Sequence, residues 1–406
     1  MSALNDRIPV TILTGFLGAG KSTLLNRILK DPEMKDAAVI INEFGDVGID
    51  HLLVESSGDS IIELSDGCLC CTVRGELVDT LANLMDAVQT GRVKPVKRVV
   101  IETTGLADPA PVMQAIMGNP VIATNFELDG VVTVVDAVNG LQTLDNHEEA
   151  RKQAAVADRL IISKTSLAAA TAGLEQRLRA LNPRAAMMDA DSTEAGSAAV
   201  LVNGLYDPAT KIADVGRWLR DEDAHEAHHH HHAHDDDHHH DHDHDHHHDH
   251  AGGHHGHHHD HHNHDHGGAH AHQHGHDVNR HDASIRSFSI IEEKPIDPTA
   301  LEMFIDLLRS AHGEKLLRMK AIVSVSDRPE RPLVLHGVQS IFHPPVRLAA
   351  WPDPQDKRTR MVLITKDLPE AFVKDLFDAF LGKPRIDRPD RAALSDNPLA
   401  IPGVRI

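Results

Sequence analysis

The sequence predicts an α/β chain in which a mostly parallel sheet covered on both faces is followed by a disordered linker and a small α+β domain. Three observations carry this. Continuous apolar runs at Ile8–Thr14, Val96–Glu102, Gly130–Asp136 and Arg159–Ser163 alternate with helical periodicity, the pattern of strands buried on both faces. The first run leads straight into Gly15-Phe16-Leu17-Gly18-Ala19-Gly20-Lys21-Ser22, which fits the phosphate-binding pattern G-x-x-x-x-G-K-[ST]. Residues 225–281 hold 30 of the 35 His of the chain, interleaved with Asp and Gly, and have essentially no aliphatic side chains to offset the entropy of ordering.

These observations divide the chain into a P-loop NTPase domain (1–222), a His/Asp-rich linker (223–283), an α+β domain (284–385) and a loose tail (386–406). Within the first domain, Leu24, Leu25, Ile28 and Leu29 put one apolar face on the helix after the Gly-rich loop. Ala37–Ile41 is a short strand. Residues 76–88 form an amphipathic helix through Leu77, Leu81, Leu84, Met85 and Val88. Beyond the linker, Ser284–Ile291 alternates as a strand, Asp297-Pro298-Thr299 opens a helix over Ala300–Ser310, and Leu316–Val325, Pro332–Phe342 and Met361–Thr365 read as strands. Pro369–Leu381 is a helix with Pro at its start.

The formal charge of the 406-residue chain is −21. Ten Asp and Glu226 against Arg280 place −10 of it in the His-rich tract, so the globular remainder is only modestly acidic. Nucleic acid is excluded as an expected partner, because phosphate neutralisation needs a basic surface. No apolar run approaches the ~20 residues of a membrane span, and Met1–Pro9 lacks a signal-peptide pattern. The three Cys fall at 68, 70 and 71, too close for unstrained bridges, so a reduced, cytoplasmic setting is expected.

The phosphate loop assigns roles by chemistry. Gly15, Gly18, Ala19 and Gly20 turn backbone N–H groups inward, Lys21 bridges β- and γ-phosphates, Ser22 offers its hydroxyl to Mg²⁺, and Thr23 is expected to bind the nucleotide with them. Glu102, at the end of a strand, is expected in the Mg²⁺ shell, a turn cap being the plainer alternative, and Gly105 is expected to present its N–H to the γ-phosphate. Ile161-Ile162-Ser163-Lys164-Thr165-Ser166 is placed to recognise a base, with Lys164 lying along it. Where many GTPases carry Asp for bidentate contact with guanine, this chain has Ser166, which weakens the guanine preference.

Gly67-Cys68-Leu69-Cys70-Cys71 offers three soft ligands in one tight loop, suited to tetrahedral Zn²⁺ and also to Co²⁺. Buried structural thiols or a redox pair are the alternatives. Glu43 is the candidate fourth ligand and lies in a segment, 42–50, where nucleotide switches form. The tract, with its unbroken run His228, His229, His230, His231 and His232, reads as a buffer or capture arm for transition metal, with a spacer as the bland alternative. His51, His147, His312, His336 and His343 are isolated and read as structural.

Together, GFLGAGKST (15–23), INEFGDVGID (41–50), GCLCC (67–71), IETTGLADP (101–109), the His-rich insert, LLRMKAIVSV (316–325) and LVLHGVQSIF (333–342) resemble the CobW-like metal-chaperone GTPases. The resemblance covers most of the chain and departs from the family at Ser166. It implies a GTPase in which GTP and Mg²⁺ organise a metal site at the cysteine motif, and hydrolysis releases the metal to a client metalloprotein; the thiolates make Zn²⁺ the expected cargo. No arginine finger or water-positioning Gln is evident, so intrinsic turnover is expected to be slow. A cobalt chaperone serving cobalamin synthesis, an activator of another metalloenzyme, a passive His-rich metal store and an ATP-using kinase or ligase are the competing readings, and a homodimer is left open.

Overall fold

The computed structural model describes residues 7–41, 61–63, 73–202 and 285–383. Seven strands form the first sheet: β1 (Ile8–Gly15), β2 (Ala37–Ile41), β3 (Ile61–Glu63), β4 (Arg98–Glu102), β5 (Phe126–Asp136), β6 (Arg159–Ser163) and β7 (Ala186–Asp189). Their order is β3-β2-β4-β1-β5-β6-β7, and every pairing is parallel. The helices of this half are α1 (Lys21–Ile28), α2 (Val73–Gln89), α3 (Ala110–Gly118), α4 (Pro120–Asn125), α5 (Gly140–Asn146), α6 (Glu148–Ala155) and α7 (Ala172–Leu181).

Alternation along β1 explains the two cores. Val10 and Ile12 pack with Ile101 against Leu81 of α2 and the buried residues of α3, α6 and α7. Leu13 points the other way, with Val100, Val134 and Ile161, to meet Leu25 and Ile28 of α1. Burial on both faces is why these strands read as unbroken apolar runs.

The second half is antiparallel: β8 (Ile285–Glu292), α8 (Pro298–His312), β9 (Leu316–Val323), β10 (Leu333–Val338), β11 (Ile341–Phe342), β12 (Val346–Arg347), β13 (Thr359–Lys366) and α9 (Glu370–Phe380). The sheet order is β11-β10-β9-β13-β8, with β12 on β10. Helix α8 starts two residues before the sequence reading placed it, because Asp297 accepts from the N–H groups of Thr299 and Ala300 and Pro298 fills the first turn. The expected strand Pro332–Phe342 breaks at Gln339, whose φ is 53°. One face of the sheet is covered by α8 and α9 through Phe304, Leu308, Val373 and Phe377. The other lies on the first half, where Leu317, Val338 and Ile364 join the core beneath the helices.

Charged groups lock this seam. Asp158 accepts from Arg318 at 2.8 Å, from Lys320 and from the Val131 N–H at 2.8 Å. Burial pushes its carboxyl up, but Arg318 and Lys320 outweigh that and hold it well below the usual carboxylate range. His336, buried beside Arg318, is driven well below the ordinary imidazole value by burial first and then by the Arg318 and Lys320 charges. His336 is thus a structural residue, as its isolation in the sequence implies.

Candidate nucleotide and metal site

The loop from Phe16 to Gly20 leaves the C-terminal end of the central strand β1, the edge at which ligands bind in open parallel sheets. Gly15 has φ 144°, and a Cβ there would fall 2.3 Å from the Val134 carbonyl oxygen, so β1 passes β5 too closely for any side chain. Gly18 and Gly20 turn with φ 71° and 96° and bring the chain into α1. Lys21 folds back over the loop, its Nζ donating to the carbonyl oxygens of Gly15 (3.0 Å) and Phe16 (3.4 Å).

Register then assembles the site. Leu13 lies opposite Glu102 in the β1–β4 pair, so Glu102 ends its strand beside the loop. The Ser22 hydroxyl donates to Glu102 Oε1 at 2.9 Å, and Glu102 is buried. A hydroxyl and a buried carboxylate side by side are hard oxygen donors of the kind Mg²⁺ takes, so the residues fit that ion. Thr103 ties the next segment down, its N–H donating to Leu13 O at 2.9 Å and its hydroxyl to Thr14 Oγ1 at 2.7 Å. Gly105 lies against the loop itself: a Cβ on it would be 2.6 Å from the Leu17 nitrogen.

At the next strand end Lys164 sits in a left-handed conformation (φ 57°), with its Nζ 2.7 Å from Asp136 Oδ2. The Asp136 carboxylate also accepts from the Val138 and Asn139 N–H groups and from Asn139 Nδ2. Burial pushes its pKa up, the Lys164 and Asn139 hydrogen bonds pull it down more strongly, and the net shift is downward. Ser163 donates to Ala19 O at 2.6 Å and so joins the base-side strand to the phosphate loop. A cavity of about 260 Å³ lies behind the loop, lined among others by Phe16, Asp136, Asn139, Gln153 and Lys164.

The structure therefore brings Gly15, Gly18, Ala19, Gly20, Lys21, Ser22, Thr23, Glu102, Gly105 and Lys164 to one edge of the sheet. Glu43, Cys68, Cys70, Cys71 and His228–His232 lie outside the described residues. Asp136 and Gln153 are not singled out by the sequence, and Ser163 enters there only as part of the Ile161–Ser166 motif, without its bond to the phosphate loop. Val134-Val135-Asp136 repeats the signal that marked Glu102, an apolar strand ending in a carboxylate. Gln153, in an Ala-rich helix, gives no such signal.

A Gly-rich strand-to-helix turn, a capping lysine and a hydroxyl–carboxylate pair define a P-loop nucleotide-binding protein. The CobW/HypB/UreG nucleotide-binding domain matches residues 9–189, and the C-terminal domain of the cobalamin synthesis protein cobW matches residues 285–381. The chain belongs to this CobW-like family. It is 42% identical over 178 residues to the zinc chaperone YjiA of Escherichia coli (strain K12), covering 44% of this chain and 56% of that protein. It is 41% identical over 169 residues to the zinc-regulated GTPase metalloprotein activator 1 of Schizosaccharomyces pombe, covering 40% of each. The matched stretch thus spans about half the length of these relatives. A crystal structure of a Zn(II)-bound triple mutant of the YjiA GTPase superposes with a TM-score of 0.59 at 25% identity, covering 92% of this chain and 99% of that one. Among the described residues, no helix is long and apolar enough to cross a membrane.

Proposed function

We propose that the chain is a GTP-hydrolysing metallochaperone. It binds Zn²⁺ as cargo at Cys68, Cys70, Cys71 and Glu43 and passes it to a client metalloprotein, with nucleotide state setting metal affinity. The observation that carries the nucleotide half is the Ser22–Glu102 pair at 2.9 Å beside Lys21. Lys21 would hold β- and γ-phosphates, Ser22 and Glu102 would hold Mg²⁺, and Lys164 would lie along the base. Mg²⁺, when bound, would neutralise phosphate charge and favour attack by water.

Topology supports the metal half. Strands β2 and β3 end side by side, Ile41 opposite Glu63, and Ile41 is also opposite Glu102. Glu43 follows the first of these ends by two residues, and the cysteine motif lies between the second and α2. Both segments thus depart from the edge that carries the Mg²⁺ candidates. Relatives named zinc chaperone and zinc-regulated GTPase metalloprotein activator favour Zn²⁺ over Co²⁺ as cargo. The residues His228–His232 and their neighbours would supply weak, interchangeable sites that raise the local metal concentration.

The test is Zn²⁺ and Co²⁺ affinity by competition, with Mg²⁺ and a non-hydrolysable GTP analogue and then with GDP. Expected is a site at least about tenfold tighter with the GTP analogue, or about 1.4 kcal/mol of coupling, lost in Cys→Ser variants. Equal affinity in both states would leave the passive His-rich store as the better reading.

A further inference from the structure

Helix α6 is gripped at both ends by the C-terminal domain and holds the nucleotide site with its middle. At its N-terminus, the Glu148 carboxylate accepts from Lys366 Nζ, at the end of β13, at 2.5 Å. Just past its C-terminus, the Val156 carbonyl accepts from the buried Arg318 of β9, which also pairs with Asp158 at 2.8 Å. Between these grips, the fully buried Gln153 donates through Nε2 to the carbonyl oxygens of Gly105 (3.2 Å) and Ala107 (2.9 Å). Lys152 pairs with Asp108 at 3.0 Å. Both contacts fall on the segment that follows Glu102 and lies against Leu17 of the phosphate loop. The residue before the helix, His147, stacks on Phe16 of that loop at 4.5 Å.

From these contacts we infer that the C-terminal domain sets the position of the Gly105–Asp108 segment through α6, with Gln153 and Lys152 as positioning residues and Lys366 as one of the domain's two grips. The inference rests on reading the site as one for a nucleoside triphosphate with Mg²⁺. An eight-residue helix is short and stiff, so a shift at either grip reaches Gly105 without being absorbed on the way. The segment it holds is the one expected to face a γ-phosphate, so the coupling acts on the triphosphate state and spares the diphosphate. By linkage, whatever binds or displaces the C-terminal domain changes the preference for triphosphate, and the reverse. The Lys366–Glu148 pair is half-exposed and contributes little stability of its own. Its role here is geometric.

The experiment measures affinity of the full chain for a fluorescent non-hydrolysable GTP analogue and for GDP, both with Mg²⁺, in wild type, Gln153→Ala, Lys366→Glu and Lys366→Arg. Expected is a fall in the analogue-to-GDP affinity ratio of about tenfold for Gln153→Ala and about threefold for Lys366→Glu, with GDP affinity retained and Lys366→Arg near wild type. A merely structural lesion would weaken both nucleotides together, and that result, or a ratio unchanged in both variants, overturns the inference. Wild type that binds neither nucleotide would instead overturn the reading of the site.

Discussion

The strand ends of the first sheet and the seam beneath its helices both concentrate charge, and they treat it in opposite ways. At the strand ends, Lys21 caps the carbonyls of its own loop, and Ser22 and Glu102 offer oxygens at an edge where ligands enter. Around them sit exposed apolar side chains, Leu17, Leu106, Val138, Leu141 and Leu167. At the seam, Asp158, Arg318, Lys320 and His336 face one another out of water and satisfy one another. One set of charges is arranged to bind something else, and the other to hold two halves of a chain together.

The largest effect on stability is expected at the seam. Replacing Arg318 with Leu leaves Asp158 buried with its carboxylate held only by Lys320 and one backbone N–H. The expected cost is about 2–3 kcal/mol, because the buried carboxylate keeps Lys320 but loses a charge-assisted hydrogen bond, and the Val156 carbonyl loses its donor. Urea unfolding followed by tryptophan fluorescence would read it, and a loss under about 1 kcal/mol would show that the seam is adhesive through its apolar contacts alone.

At the strand ends the same kind of removal should harm binding and leave stability intact. Lys21→Ala is expected to weaken nucleoside triphosphate binding by at least about a hundredfold, or about 2.7 kcal/mol, with an unchanged melting temperature. Calorimetric titration checks it, and binding retained within about fivefold would place the phosphates elsewhere. Ser163→Ala is a smaller cut: it removes the 2.6 Å hydrogen bond to Ala19 O that aligns the base-side strand with the loop. About 1 kcal/mol of alignment should be lost, seen as roughly fivefold weaker binding of the triphosphate and the diphosphate alike.

The two regions also differ in how far the sequence announced them. The phosphate loop, Glu102 and Lys164 were legible because each stands where a continuous apolar run stops, and the glycines and lysine have few other reasons to share that spacing. Strand β5 begins four residues before the reading put it because Glu127 and Asp129 interrupt the apolar run. In the fold those carboxylates are met by Arg7 (3.1 Å) and Arg98 (2.8 Å), partners too distant in the chain for any local pattern to reveal. Helix α3, Ala-Pro-Val-Met-Gln-Ala-Ile-Met-Gly, is buried nearly all round and so has no amphipathic period to detect. The α6 contacts were hidden for a related reason: Gln153 matters only because the segment after β4 folds onto it while the C-terminal sheet holds the two ends of its helix. The membership of the seam, Asp158 with Arg318 and Lys320, is a property of docking between halves, and periodicity reports only which face is apolar.

The smallest effect is in the pH dependence of stability, where the two regions titrate differently. His336 Nε2 accepts from Arg318 Nε at 3.3 Å, which fixes a neutral ring. Burial and then the facing cations Arg318 and Lys320 lower its pKa, opposed by Asp158, with His343 adding to the fall. In the unfolded chain an imidazole takes up its proton as pH drops through about 6.5. The unfolded state then binds more protons than the folded one, so stability rises with pH through that range and is lost below it. His336→Gln keeps an acceptor for Arg318 and removes the titration. Its melting temperature should therefore fall less than that of wild type between pH 7 and pH 5, while the strand-end variants Lys21→Ala and Ser163→Ala keep the wild-type slope. Parallel slopes for wild type and His336→Gln would mean that His336 protonates in place, and that the seam tolerates a third cation because Asp158 is a stronger counter-charge than its burial suggests.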